Sequence, residues 1–396
     1  MNQFKQHPHT PFEPEKKRRF PIVPRLVTLI LFVLLISGGI FALRPSSPAP
    51  EAPRETVNQP RTFQLKQLRP EWYETSDAIY FGIPARIIFH LPEAPGNDQP
   101  RIDPEILARK IWDEFDRIGN IFNPFDPNSE TGRLNSQNTR GPIPVSKEIY
   151  NVLQLSEKLW DASDGAFDPT MLQIKQLWND AVKTQQIPSN MEIRRIMAHT
   201  GLEKVERAAD RHEVKLESKN IRFDFGGIAK GYAVDKVVNL VQAHGIENAM
   251  VSLAGEIRTF GKNNDAPWRI GIQHPENMNA LWGIVSSDIN LNISTSGNYR
   301  QPLIISGQEF YHIFSPKTGR PVSERILGVT TLCASQKGSS ALLDGAATAI
   351  IVLGKDKGLA FAETMGIEAL ILYRSRGGEI EALMTEGFQP YYKSVP

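Results

Sequence analysis

"RFDFGGIAKGYAVDKV", residues 222–237, sets a short alternating run against a helical one, with two glycines between them. Arg222 to Phe225 alternates polar and apolar side chains as a strand does. From Ile228 the apolar residues recur at helical spacing through Tyr232, Val237, Val238 and Val241, and the run ends near Gly245. Gly226 and Gly227 allow backbone angles that other residues avoid. Strand, glycine turn and helix start together present backbone N–H groups to an anion. Lys230 falls in the first helical turn, where the helix dipole disfavours a cation by roughly 0.3–1 kcal/mol unless an anion is held there. The same residues also describe a tight turn with a solvated lysine. Spacing excludes two phosphate loops: Lys230 is followed by Gly231 rather than Ser or Thr, and no G-x-G-x-x-G occurs.

Outward from this junction, strand-like alternation marks 78–91, 212–218, 221–225, 249–261, 268–275, 282–288 and 328–335. Helical spacing marks 104–122, 147–163 and 231–245, with 340–354 as a fourth candidate. Strands and helices mix without a strict βαβ beat. The expected class is α+β, a largely antiparallel mixed sheet with packed helices.

The 396-residue chain carries a formal net charge of +1, which removes any global electrostatic argument for nucleic acid. Its start is different. Lys16, Lys17, Arg18, Arg19 and Arg25 precede the uncharged stretch 26–43, which is long enough to cross a bilayer as a helix. Residues 1–25 are expected to stay in the cytoplasm and everything after Arg44 to lie across the membrane. A cleaved signal peptide is the competing reading, disfavoured by the length of the run and the lack of a small-x-small cleavage site. Residues 44–64 are rich in proline and read as an extended linker, with the folded domain at 65–396. The single cysteine, Cys333, permits no internal disulfide and no cysteine zinc site, and no cysteine closes the apolar run to carry a lipid.

Asp344 and Thr348 stand four residues apart in "SSALLDGAATAIIVLG", on one face of a helix if the segment is helical. Both offer oxygen, which suits Mg²⁺. They equally describe a favourable early-turn charge and a hydroxyl bonded to its own helix. "DGAFDPTM" (164–171) and "NISTSGNYRQ" (292–301) are polar loops suited to binding or to plain connection. His312, in "YHIFSPKTGRPV" (311–322), is open to a structural or a catalytic reading. "FDPNSETGRLN" (125–135) reads as a turn followed by a helix cap.

Taken in order, "FDPNSETGRLN", "GAFDPT", "DFGGIAKGYAVDKV", "SLAGEIRTFG", "STSGNYR", "HIFSPKTGRPV" and "LLDGAATAIIVLG" resemble the ApbE-type FAD:protein FMN transferases, from about residue 78 to the C-terminus. The resemblance implies the flavin transferase fold. It also implies Mg²⁺-dependent transfer of FMN from FAD to a Thr or Ser hydroxyl of an acceptor flavoprotein, with release of AMP. By position, Asp344 and Thr348 match side-chain metal ligands, and Gly227 matches a backbone-carbonyl ligand. Asp224, Lys230, Ala166, Phe167 and Asp168 match the flavin-nucleotide segments. Phe81 falls where the family usually has Met-Gly-Thr, and Phe125 where an aromatic residue meets the nucleotide. His312 matches the histidine near the acceptor hydroxyl. Ser315 stands where the family has an aspartate, so a carboxylate that would orient His312 or its loop is missing. FAD hydrolysis to FMN and AMP, and a non-catalytic flavin-binding or assembly protein, are the alternatives. With the N-terminal stretch, the resemblance implies a single-pass protein of the bacterial inner membrane, its catalytic domain on the periplasmic side. The implied partner is an acceptor flavoprotein subunit of a respiratory or redox membrane complex.

Overall fold

The computed structural model describes residues 61–79, 83–91, 102–139, 141–208, 211–297, 302–322 and 325–395. The predicted tail 1–25, the stretch 26–43, most of the linker and Phe81 lie outside these residues. Among the described residues no helix is long and apolar enough to cross a membrane.

The chain begins with β1 (Gln64–Arg69), β2 (Trp72–Ile79) and β3 (Ile83–His90), then α1 (Pro104–Phe122) and α2 (Glu130–Asn135). After β4 (Ile143–Pro144) come α3 (Lys147–Ala162), α4 (Leu172–Thr184) and α5 (Asn190–Met197). Strands β5 (Val205–Arg207) and β6 (Glu213–Leu216) lead to α6 (Ala229–Ala243). There follow β7 (Ala249–Leu253), β8 (Glu256–Phe260), β9 (Arg269–Gln273), β10 (Leu281–Ser286) and β11 (Leu291–Gly297). Next are β12 (Leu303–Ile305), β13 (Gln308–Phe310) and β14 (Ile326–Ala334), then α7 (Ser340–Leu353) and α8 (Lys355–Met365). The chain closes with β15 (Glu368–Arg374), β16 (Ile380–Met384) and β17 (Tyr392–Ser394).

A nine-stranded sheet in the order β1-β2-β3-β7-β8-β11-β14-β15-β16 organises the fold. Every neighbouring pair in it is antiparallel. Alternate side chains enter two different cores. On β15, Ala369 and Ile371 join the cluster under α1, α3, α6 and α7, whereas Leu370 and Leu372 join the one that packs against Ile270, Val285 and Phe388. The result is three layers: helices, the large sheet, and the small sheet β17-β10-β9.

The helices follow from the sequence. On α1, Leu107, Ile111, Trp112, Phe115, Ile118 and Phe122 form the buried stripe. Asp103 caps its start, accepting from the N–H of Glu105 at 2.7 Å. Four predicted helices are present as α1, α3, α6 and α7, and Ser129 caps α2 as the turn reading expects.

Some expectations are corrected. The stretch 78–91 is not one strand but the end of β2 and the whole of β3, and 249–261 is the hairpin β7-β8. Its turn is made by Ala254, which has φ 52°, and Gly255. "IRFDF" joins no sheet: Arg222 makes one parallel bridge to Met171. The run is held instead by Asn135, whose amide donates to the Phe223 carbonyl (2.9 Å) and accepts from its N–H (2.7 Å). Tertiary contacts start before residue 65, since Arg61 pairs with Asp77 and Asp116 and lies over the Trp112 ring.

Candidate active site

From Ser340 to Ala347 every residue of α7 is buried, Asp344 among them. A carboxylate so placed needs partners. It finds them on α6, where Lys230 Nζ donates to Oδ1 at 2.6 Å and the Gly231 N–H donates to Oδ2 at 3.1 Å. The helices approach this closely because residue 231 is glycine: a Cβ there would stand 2.2 Å from the Ser340 carbonyl oxygen. At the start of α6, Lys230 and the Gly231 N–H thus meet an anion of the chain's own, Asp344. The early-turn reading of Asp344 is corrected accordingly, because the carboxylate serves the neighbouring helix. Thr348 Oγ1 donates back to the Asp344 carbonyl at 3.3 Å, as the own-helix reading expects.

Glu256, the first residue of β8, completes the cluster. It is fully buried, neither of its carboxylate oxygens has a hydrogen-bond partner, and Lys230 Nζ lies 3.6 Å from Oε1. Two carboxylates thus share one ammonium. Burial, reinforced by the charge of Asp344, pushes the Glu256 carboxyl well above the usual carboxylate range. At Lys230 burial works toward neutrality, but Asp344 and then Glu256 outweigh it and hold the ammonium above the usual lysine range.

Gly227 closes the same pocket. A Cβ on it would lie 3.4 Å from Thr348 Oγ1 and 3.3 Å from the Phe167 ring, so a side chain here would press on both. The structure brings Gly227, Lys230, Asp344, Thr348 and Phe167 together. Phe167 and Ala166 are buried, whereas Asp168 ties its own loop down, accepting from Thr170 and from the Leu202 N–H at 3.0 Å. Burial raises its carboxyl pKa.

A second group lies beside this cluster in sequence. Asp224 accepts from Lys175 at 2.7 Å and from the Gly226 N–H at 2.9 Å. Burial opposes its ionisation, but Lys175 prevails and its carboxyl pKa is lowered. The Lys175 ammonium also stands 6.0 Å from the centre of the Phe125 ring, which is exposed. Phe125 lines a cavity of about 260 Å³ with Pro124, Gln173, Gln176 and Arg222.

His312 is half-buried on a hairpin anchored elsewhere. Trp178 of α4 donates to the Gly319 carbonyl at 2.9 Å, and Lys317 pairs with Asp164 of the 164–168 loop. Ser315 closes the turn through its backbone, its N–H bonding the Arg320 carbonyl at 2.8 Å and its carbonyl accepting from Gly319 at 2.8 Å. The turn therefore closes through the backbone, with no carboxylate at position 315.

Residue reading missed Glu256, Lys175 and Asp235. Asp235 of α6 caps α7, accepting from the N–H groups of Ser340 (2.9 Å) and Ala341 (3.0 Å), and pairs with Arg258 of β8 at 2.9 Å. The signal for Glu256 was a charge in the apolar hairpin "SLAGEIRTFG"; Lys175 and Asp235 sit on polar helix faces that announce nothing.

Among the described residues no group of three His, Cys, Asp or Glu side chains could hold a metal. The donors here are one carboxylate, one hydroxyl and backbone oxygen, a set that suits Mg²⁺, which keeps water and phosphate oxygens in its shell. Neither Glu256 carboxylate oxygen has a hydrogen-bond partner, a buried polar group left unsatisfied beside these donors.

Comparison with known proteins agrees with this geometry. The pattern described as the ApbE family matches residues 81–371. An FAD:protein FMN transferase of Vibrio cholerae is 30% identical over 298 residues, covering 74% of this chain and 87% of that protein. One of Escherichia coli K12 is 29% identical over 295 residues, covering 73% and 82%. The solved flavin transferase ApbE of Vibrio cholerae superposes with a TM-score of 0.69 at 28% identity, covering 81% of this chain and 99% of that one. The ApbE protein of Thermotoga maritima gives 0.70 at 27%, covering 82% and 100%. With the matched region spanning both halves of the buried cluster, the chain belongs to the ApbE family.

Proposed function

We propose that this protein transfers FMN from FAD to a Thr or Ser hydroxyl of an acceptor flavoprotein, releasing AMP. The buried cluster of Asp344, Glu256 and Lys230 beside Gly227 and Thr348 carries the reading, and the names of the relatives support it. Asp344, Thr348 and the Gly227 backbone would hold Mg²⁺, which would supply positive charge to offset that of the phosphate groups. Lys230 and the α6 N-terminus lie at the pyrophosphate, where an ammonium and helix N–H groups offset its negative charge. Phe125, Lys175 and Asp224 flank the nucleotide, and the buried Phe167 shapes the wall against it.

The acceptor hydroxyl oxygen attacks the FMN phosphorus in line, its bond to the AMP oxygen breaks, and the hydroxyl proton passes to His312. A neutral imidazole suits this at near-neutral pH. The apolar stretch 26–43 anchors the chain, with the domain outside the cytoplasm beside a redox complex of the membrane. Reporter fusions after residue 65 test that placement: an active cytoplasmic-type reporter contradicts it.

The reaction is tested by incubating the full-length protein with FAD, Mg²⁺ and a candidate acceptor. One FMN added per acceptor for each AMP released is expected. AMP release without an acceptor adduct would point to FAD hydrolysis, and neither product to a binding protein.

A further inference from the structure

Lys230 is shared unequally between two buried carboxylates. Its ammonium is 2.6 Å from Asp344 Oδ1 and 3.6 Å from Glu256 Oε1, and it also donates to the Gly226 carbonyl at 3.2 Å. Glu256 is fully buried with no hydrogen bond to either oxygen, an arrangement that costs stability in this state and that a closer approach of Lys230 would relieve. A move of under about 1 Å would bring Nζ into hydrogen-bond range of Oε1.

We propose that Glu256 is a positioning residue that takes Lys230 from Asp344 when a divalent cation binds there. An ammonium and a divalent cation on the same carboxylate oxygen repel each other strongly in a buried site. With Glu256 alongside, the lysine is handed across the pocket instead of being driven out of it, and it keeps its place at the helix start. Without a cation, Lys230 supplies the positive charge that keeps Asp344 satisfied. This rests on the reading of Asp344 as a cation ligand.

The test titrates Mg²⁺ alone, without FAD, into the full-length protein, reading affinity by calorimetry and melting temperature. Lys230→Met removes the competitor, so Mg²⁺ should bind about tenfold tighter or more, the scale of one charge removed near a buried site. Glu256→Gln leaves Lys230 with Asp344 as its sole buried counter-charge and should weaken Mg²⁺ binding by a similar factor, with Glu256→Asp restoring part of it. Should Lys230→Met fail to fold, the Glu256 pair still decides. A crystal structure with Mg²⁺ should show Lys230 Nζ within hydrogen-bond distance of Glu256 and withdrawn from Asp344. A wild type that binds no Mg²⁺ overturns the cation reading and the switch together. Normal Mg²⁺ binding with Lys230 still on Asp344, or weakened by Lys230→Met, overturns the switch alone.

Discussion

The buried cluster at the start of α6 and the Lys175–Asp224 pair at the rim use the same residue types to opposite ends. At the rim one ammonium meets one carboxylate, both partly open to water, and Asp224 has a further bond from the Gly226 N–H. That pair is balanced. In the buried cluster one ammonium faces two carboxylates whose side chains have 0% exposure, and one of them has no hydrogen bond at all. A balanced, partly open pair is largely satisfied by its own partners and by water, whereas an unbalanced buried charge must be neutralised by a proton or by a cation that arrives. On the proposed function, that difference assigns the chemistry to the cluster and the orientation of the nucleotide to the Lys175–Asp224 pair.

Substitutions can break or sharpen that contrast. The largest effect is expected from Asp344→Ala, which removes the carboxylate proposed as the cation ligand. Transfer should be abolished, while Lys230 turns to Glu256 and the circular dichroism spectrum stays that of the wild type. His312→Ala should come next, slowing single-turnover transfer by roughly a hundredfold or more, the usual contribution of a positioned base. FAD affinity should hardly change, and recovery of the full rate at saturating FAD would make His312 a pocket residue instead. At the rim, Lys175→Met should weaken FAD binding by only about five- to tenfold, with the rate at saturation largely preserved. A rim variant as damaging as Asp344→Ala would erase the contrast.

The smallest effect concerns pH. The Asp224 carboxyl is held below its ordinary value of 3.8, so its pairing stabilises the fold fully above that value and the contribution is lost as pH falls through the lowered one. The stability gap between wild type and Asp224→Asn, discounted for Lys175's 35% exposure, should be about 1 kcal/mol or less at near-neutral pH and should narrow as pH falls below the ordinary carboxylate range. Urea titrations at several pH values measure it. A gap that widens in acid would mean Asp224 is not stabilised as a carboxylate.

The unequal legibility of these regions has a physical basis. The α1 and α3 stripes, the α6 start and the largely apolar α7 could be read because periodicity and glycines are local signals. "IRFDF" alternates like a strand, yet its backbone is held by an asparagine side chain distant in sequence, and no local pattern encodes that. Asp344 and Thr348 were legible as an i, i+4 pair, and the motif order tied them to Lys230. Glu256 was not, because its meaning depends on β8 passing beside α6 and α7, a contact made only in three dimensions. The run 249–261 reads as one strand for a related reason, since the turn at Ala254 and Gly255 is short and lies between apolar stretches.

The most direct test of the cluster as a cation-dependent transfer site is the rate of FMN transfer to an acceptor at saturating FAD, measured for the wild type and Asp344→Ala across a range of free Mg²⁺. The wild type should be silent with chelator present and rise to saturation with Mg²⁺, while Asp344→Ala stays silent throughout. Transfer that persists in chelator, or an Asp344→Ala protein that matches the wild type at low Mg²⁺, would contradict the assignment.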